Sequence, residues 1–329
     1  MNETRRDEMK CGFVAIIGRP SAGKSTLLNA LCGEKVAITS SVPQTTRNAI
    51  RGIVNRSSGQ IVFLDTPGYH DSEKKLNIYL KDVVHRSLDD ADVVLYVMDA
   101  SRPPGKEEGA VMNLLARSGK PIVAAVNKTD LNTPLLAEIR GLIRANLNPS
   151  ELLEISAIEG RNLEGVVQAV MEQCPEGELH YPTDFYTDQD PEFRITEIIR
   201  EQAIIRSEQE VPHSLYVELA DMEFKKPPAS AEKTEDTPAG APEGFFETEE
   251  PSPVKPKLWV RAFLVVERSS QVGILVGHKG EKIKAIRIGA LREMKKVFPW
   301  KISLDLRVKV NPKWRKKDPL LKKMMGSGE

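Results

Sequence analysis

The sequence predicts an α/β protein: a mostly parallel, doubly wound sheet followed by a smaller α+β domain. Three observations carry that reading. Short apolar runs alternate with helical patterns through the first half of the chain. A glycine-rich turn, GRPSAGKST at residues 18–26, follows the first apolar run, CGFVAII. And 329 residues are too many for one ordinary core.

The elements follow in order. CGFVAII reads as a buried first strand, too short for a signal peptide because it runs straight into the glycine-rich turn. KSTLLNAL continues as a helix that Gly33 stops. AIRGIVN and QIVFLDTPG flank the turn signal RSSG and read as an antiparallel pair. ADVVLYVMDA, KPIVAAVNKTD and LLEISA read as central strands, uniformly apolar because both faces are covered. Around Pro175, Pro182 and Pro191 the rhythm breaks, which marks a linker. An amphipathic helix follows, with Ile195, Ile198, Ile199, Ala203 and Ile204 on one side, then the strand HSLYVELADMEF. Residues 221–257, rich in Pro, Glu, Thr and Ala, are expected to be a disordered hairpin insert, either shielding the basic region nearby or simply tolerated at the surface. LWVRAFLVVER returns to strand, and KISLDLRVKV is the last one.

A composition of 40% hydrophobic and 29% charged residues is that of a globular protein. No apolar run is long enough to span a bilayer. The odd number of cysteines (Cys11, Cys32, Cys174), with no CxxC spacing, argues against a disulfide framework or a zinc site, and a cytoplasmic protein is expected. The zero net charge hides an asymmetry. Residues 258–329 hold 18 Lys and Arg against 6 Asp and Glu, a net of +12 that leaves −12 elsewhere, so this end is suited to a polyanion.

Four motifs stand in order at strand ends, where ligands of such sheets bind. In the first, the backbone around Gly18, Ser21, Ala22, Gly23 and Thr26 would cradle phosphates; Lys24 would reach the β and γ phosphates and Ser25 would ligate Mg²⁺. In DTPG, Asp65 would hold Mg²⁺ through water and Gly68 would offer its N–H to a γ-phosphate. In NKTD, the Asp130 carboxylate can accept from N1–H and the exocyclic amine of guanine, which adenine lacks, a difference worth about four orders of magnitude. Asn127 would meet the opposite edge of the base and the Lys128 stem its face. In ISA, Ser156 and Ala157 end the set, with the Ala157 N–H facing the guanine oxygen. The nucleotide is therefore GTP or GDP. SVPQTTRN is the segment that would bring a Thr hydroxyl to Mg²⁺, Thr46 in preference to Thr45. The catalytic set is thus Lys24, Thr46, Asp65 and Gly68. Tyr69 stands where Ras-type enzymes carry their water-orienting Gln, and either orients water or packs; slow intrinsic turnover is expected.

In the basic segment, Gly277-His278-Lys279-Gly280 joins two helical patterns, the second with Ile283, Ile286, Ala290 and Leu291 on one face. A GxxG loop between helices lets a nucleic-acid backbone come very close, so RNA binding is expected here, flanked by Lys282, Lys284 and Arg287. Trp259, Trp300 and Trp314 would either stack bases or pack locally, and the terminal KWRKKDPLLKKMM either contacts phosphates or is a solvated tail.

GRPxxGKSTLLN, PQTTR, DTPGxH, NKxD and SA, followed by helix–strand–strand–GxxG–helix–strand, resemble the bacterial Era GTPase family from about Cys11 to Lys313, the insert excluded. The resemblance implies a Ras-like P-loop GTPase domain at 11–175, a linker at 176–190 and a type II KH domain at 191–315, between a tail at 1–10 and a basic tail at 316–329. It further implies a monomer that binds the 3′ end of small-subunit ribosomal RNA and acts in maturation of the small ribosomal subunit. Such proteins are cytoplasmic, some peripheral on the inner face of the membrane. One departure matters. Ser21 replaces the usual Asn that, in related GTPases, helps hold a K⁺ ion, which puts potassium stimulation in doubt. Two rivals are an RNA chaperone that holds GTP without cycling, and a GTPase whose basic face meets lipid.

Overall fold

The computed structural model describes residues 9–40, 42–43, 45–69, 75–207, 211–225, 255–317 and 319–321. The first domain runs β1 (Lys10–Ile17), α1 (Lys24–Cys32), β2 (Ile50–Arg56), β3 (Gly59–Asp65), α2 (Lys75–Asp90), β4 (Val93–Asp99), α3 (Lys106–Ala116), β5 (Ile122–Asn127), α4 (Leu136–Leu147), β6 (Glu151–Glu154) and α5 (Leu163–Gln173). Its sheet has the order β2-β3-β1-β4-β5-β6, parallel except for the β2–β3 hairpin. Alternation along each strand feeds two cores. Val14 and Ile16 face α1 and α5, with Leu27, Leu28, Val166 and Val170; Ala15 and Ile17 face α2, α3 and α4, with Val84, Val111, Leu115, Ile139 and Ile143. The parallel strands therefore all deliver their carboxyl ends to one rim.

One expectation changes here. LLEISA is not a central strand: β6 is short, lies at the sheet edge and is only half buried, its glutamates suiting an edge that must resist further pairing. The linker at 176–190 is bonded to the sheet. The Gln60 amide donates to Tyr181 O at 2.8 Å and the Ile53 N–H to Tyr186 O at 2.9 Å, so the linker lies along β2 and β3 and satisfies their outer polar groups.

The second domain runs α6 (Pro191–Ile205), β7 (Tyr216–Lys225), β8 (Lys257–Val266), α7 (Ser269–Val276), α8 (Glu281–Val297) and β9 (Lys301–Val310). Its sheet has the order β7-β8-β9, antiparallel then parallel. Ile195, Ile198, Ile199 and Ala203 of α6 pack with Ile286, Ala290 and Met294 of α8 on the inner face of β8. Pairing continues to Lys225↔Lys257, so the two ends of the expected 221–257 insert are strand. The remainder, 226–254, lies outside the described residues. Each tryptophan packs locally. Trp314 is fully buried against Tyr216, its Nε1 donating to Ser214 O at 2.9 Å; Trp300 stacks on Phe298, and Arg261 lies over Trp259. The start of the basic tail is not a solvated end either, since Leu321 is buried in the cluster around Trp314.

Trp314→Ala removes a large buried ring and the hydrogen bond that its Nε1 donates to Ser214 O. It should lower unfolding stability by about 3–5 kcal/mol, read from denaturant midpoints.

Candidate nucleotide and RNA sites

The first site is built on the rim of the parallel sheet. The loop between β1 and α1 places successive backbone groups at the N-terminus of α1, where the helix dipole favours anions. Lys24 is buried, and its Nζ donates to Gly18 O at 2.9 Å and Arg19 O at 3.0 Å. Burial pulls this ammonium down to about 8, against the pull of Asp65 and Glu108. Arriving phosphates would restore the full charge. The loop encloses a cavity of about 280 Å³ that Ser21, Gly23, Lys24, Ser25, Thr26 and Thr46 help to line.

Three oxygen donors converge at its end. The Ser25 hydroxyl donates to Asp65 Oδ2 at 2.6 Å and lies 2.9 Å from Thr46 Oγ1. Asp65 is fully buried, and its Oδ1 has no hydrogen-bond partner among the described residues. Adjacent ligands of an octahedral ion with bonds of about 2.1 Å lie about 2.9 Å apart. The Ser25 and Thr46 hydroxyls have about that spacing, and Asp65 beside them has an orphaned carboxylate oxygen, so the cluster fits Mg²⁺ on the two hydroxyls with Asp65 reaching it through water. Thr45 is turned away: its hydroxyl donates to Val42 O at 2.6 Å. Gly68 is pressed against the phosphate loop. A Cβ here would lie 2.5 Å from Pro20 Cα and N, so the DTPG turn senses the loop through bare backbone contact.

The base end is more braced than its motifs suggest. Asn127 Nδ2 donates to Ala22 O, and Asn127 Oδ1 accepts the Ala157 N–H, both at 3.0 Å. Asn127 thus ties the phosphate loop to the ISA loop. The Ala157 N–H, expected to face the guanine oxygen, is occupied by Asn127, because a buried N–H must be satisfied. Ser156 Oγ donates to Asp130 Oδ1 at 2.6 Å and aims that carboxylate. Lys128 adopts a positive φ of 69° and pairs with Asp99 Oδ2 at 2.8 Å.

Asp99, Arg19 and Glu108 were missed from the sequence. Arg19 Nε lies 2.9 Å from the fully buried Glu108 Oε1, which anchors the phosphate loop from beneath; Tyr96 donates to the other Glu108 oxygen at 2.7 Å. Burial pushes the Glu108 carboxyl up. Asp99 ends its strand as Asp65 does, and that position was the available signal. Tyr69 packs, its ring edge-to-face with His85.

The second site is the α7–α8 junction. Gly277, His278, Lys279 and Gly280 form a tight turn in which Lys279 has φ 49° and Gly277 has φ 74°; a Cβ on Gly277 would lie 2.7 Å from Lys282 Cβ. His278, Lys279, Lys284 and Arg287 are exposed, while Lys282 is half buried. The N-terminus of α8 adds its dipole to this basic surface. Ile274 and Ile288 on the flanking helices are also exposed, an apolar contribution not anticipated from the sequence.

The fold and the two sites define a P-loop GTPase joined to a KH domain. A family model described as "50S ribosome-binding GTPase" matches residues 13–128, and one described as "KH domain" matches residues 242–315. The chain is 45% identical to GTPase Era of Treponema denticola over 320 residues (96% of this chain, 99% of the relative). It is 39% identical to GTPase Era of Borreliella burgdorferi over 318 residues (96% and 100%). Among solved structures it resembles an Aquifex aeolicus Era bound to GDP·AlF4⁻ (TM-score 0.82, 32% identity, 98% of this chain and 100% of that one). It likewise resembles an Era in complex with MgGDPNP and nucleotides 1506–1542 of 16S ribosomal RNA (TM-score 0.83, 31% identity, 98% and 100%). The chain belongs to the GTPase Era family, and it is a GTPase.

Burial pushes the Asp65 carboxyl up to about 6, with Lys24, Ser25 and Thr46 pulling the other way. The folded state therefore holds a proton that the unfolded state has released, and this group's stabilising contribution is lost as pH rises through 6. A cation must expel that proton below pH 6. Mg²⁺ affinity of the GDPNP-loaded protein should fall about tenfold per pH unit there, and Asp65→Asn should bind Mg²⁺ weakly with that part of the slope removed, as metal titrations at pH 5–7.5 will show.

Proposed function

We propose that this chain is a Mg²⁺-dependent GTP switch that binds the 3′ end of small-subunit ribosomal RNA and acts in assembly of the small ribosomal subunit. The observation that supports it most is the exposed GxxG turn with its basic surround, in a chain that shares the full-length fold of the RNA-bound Era.

The residues divide the work. Backbone from Gly18 to Thr26 and the Lys24 ammonium hold the phosphates. Ser25 and Thr46 would hold Mg²⁺ directly and Asp65 through water, and the ion when bound would supply charge neutralisation to the phosphates. Gly68 reports the γ-phosphate through its N–H. Asp130, aimed by Ser156, selects guanine, and Asn127 keeps the base and phosphate subsites in register. No Gln follows Gly68, and Tyr69 is packed, so turnover is slow until a partner orders the site. His278 and Lys279 meet the RNA backbone, with Lys282, Lys284 and Arg287 neutralising neighbouring phosphates. The domains fall as 11–175 and 191–315, and the protein works as a cytoplasmic monomer. Any membrane association is peripheral, since no described helix is long and apolar enough to cross a bilayer.

The test is affinity for an oligonucleotide of the small-subunit rRNA 3′ end, at fixed salt, with GDPNP and then with GDP. GDPNP should tighten binding by about tenfold, within the usual range of such couplings. His278→Asp/Lys279→Asp should lose that affinity in both states. Equal affinity in the two nucleotide states, or an unaffected double variant, would contradict the proposal.

A further inference from the structure

The segment that carries Thr46 is gripped by the KH domain. Arg200 of α6 is buried, and its Nη2 donates to Thr45 O at 2.7 Å. Its Nε and Nη2 are braced by Glu197 at 2.7 and 2.5 Å. The next residue, Glu201, accepts the Thr39 N–H at 3.0 Å on Oε1 and pairs with Lys35 at 2.5 Å on Oε2. Arg47 crosses in the opposite direction, donating to Leu215 O at 2.9 Å with its guanidinium 5.5 Å from the centre of the Trp314 ring.

The geometry has a specific consequence at the metal position. The carbonyl of Thr45 and the N–H of Thr46 belong to one rigid peptide plane. Fixing Thr45 O therefore fixes the plane from which Thr46 projects, and Thr46 Oγ1 then lies 2.9 Å from Ser25 Oγ. The Thr45 side chain cannot replace it, being held by Val42 O and Ser40 Oγ. Within residues 38–48 there is no helix or strand among the described residues to hold that plane from inside the GTPase domain.

We infer that Arg200, on the first helix of the KH domain, is a positioning residue of the GTPase site, holding the Thr45–Thr46 peptide so that Thr46 reaches the magnesium position. The nucleotide site is thus completed by a side chain 155 residues away in the RNA-binding domain. The inference rests on the Mg²⁺·GTP reading of that site. It makes Arg200 different from a residue that only stabilises α6. Losing it should weaken the use of Mg²⁺ with GTP but spare GDP, whose phosphates need the loop around Lys24 and not Thr46.

The experiment uses the full chain with Arg200→Met, which keeps an apolar stem in the buried site, and Arg200→Lys, which keeps the charge. The Mg²⁺ concentration giving half-maximal GTP hydrolysis is measured at saturating GTP, alongside GDP affinity and thermal midpoint. The expected result is a rise of about tenfold in the Mg²⁺ requirement for Arg200→Met with GDP affinity unchanged, and partial rescue in Arg200→Lys. An unchanged Mg²⁺ requirement in folded Arg200→Met, whatever its thermal midpoint, overturns the inference. If Arg200→Met does not fold, an unchanged requirement in Arg200→Lys does the same. A wild-type protein that hydrolyses GTP equally well without Mg²⁺ would sink the underlying reading of the site, a result distinct from a failure of Arg200.

Discussion

Between the end of α1 and the start of β2 the chain returns to the nucleotide rim with no helix or strand among its described residues, so its backbone polar groups need partners from elsewhere. Those partners come from two places. Asn29 of α1 accepts the N–H groups of Val36 and Ala37 and donates to Ala37 O. From the other side, Gln189 donates to Val36 O, Arg194 to Lys35 O and Arg200 to Thr45 O, while Glu201 accepts the Thr39 N–H. One segment is therefore satisfied half by the GTPase domain and half by the linker and α6. Its free end supplies Thr46 to the metal position. Movement of one domain against the other must break or trade these bonds, and that shared dependence links the nucleotide site to the second domain.

The charges at this junction make the link discrete. Burial pulls Arg47 down to about 9, helped by the nearby Arg200 and opposed by Glu197. Buried guanidinium groups are tolerated only while their oxygen partners stay in place, and a half-separated arrangement would strand a charge without water. Such a junction favours two well-formed arrangements over a continuum between them, which is what a switch requires. Phosphates at Lys24 and Mg²⁺ at Asp65 act on the same footing. Each site holds a group moved off its ordinary protonation range by burial, and the ligand supplies the missing compensation.

The nucleotide site was legible in the sequence because each motif is short and its geometry local. A strand end, a tight turn and a helix start fix where Lys24, Ser25, Asp65 and Asp130 stand, whatever lies around them. The GxxG turn was legible for the same reason. The alternating apolar runs likewise gave the sheet and the faces of α6 and α8. What escaped are contacts between residues far apart in sequence. Arg200 with Thr45, Asn127 with Ala22 and Ala157, and Arg19 with Glu108 leave no periodic trace, because each depends on how whole elements pack. The course of the linker escaped for a related reason. Proline and turn formers report that a stretch is irregular, and 176–190 is; they do not report that it lies bonded along β2 and β3. LLEISA misled because a short, largely apolar run reads alike at a sheet centre and at its edge.

Residues 35–47 serve both domains at once: they carry Thr46 to the metal position and bond to α6. Amide hydrogen exchange of the full chain, compared between the GDP state and the Mg²⁺·GDPNP state, tests this most directly. Exchange should change in residues 35–47 together with α6, the Thr39 amide included, since the same bonds serve both. Altered exchange at the phosphate loop and Thr46 alone, with α6 unmoved, would contradict this and leave the two domains as independent binding modules on one chain.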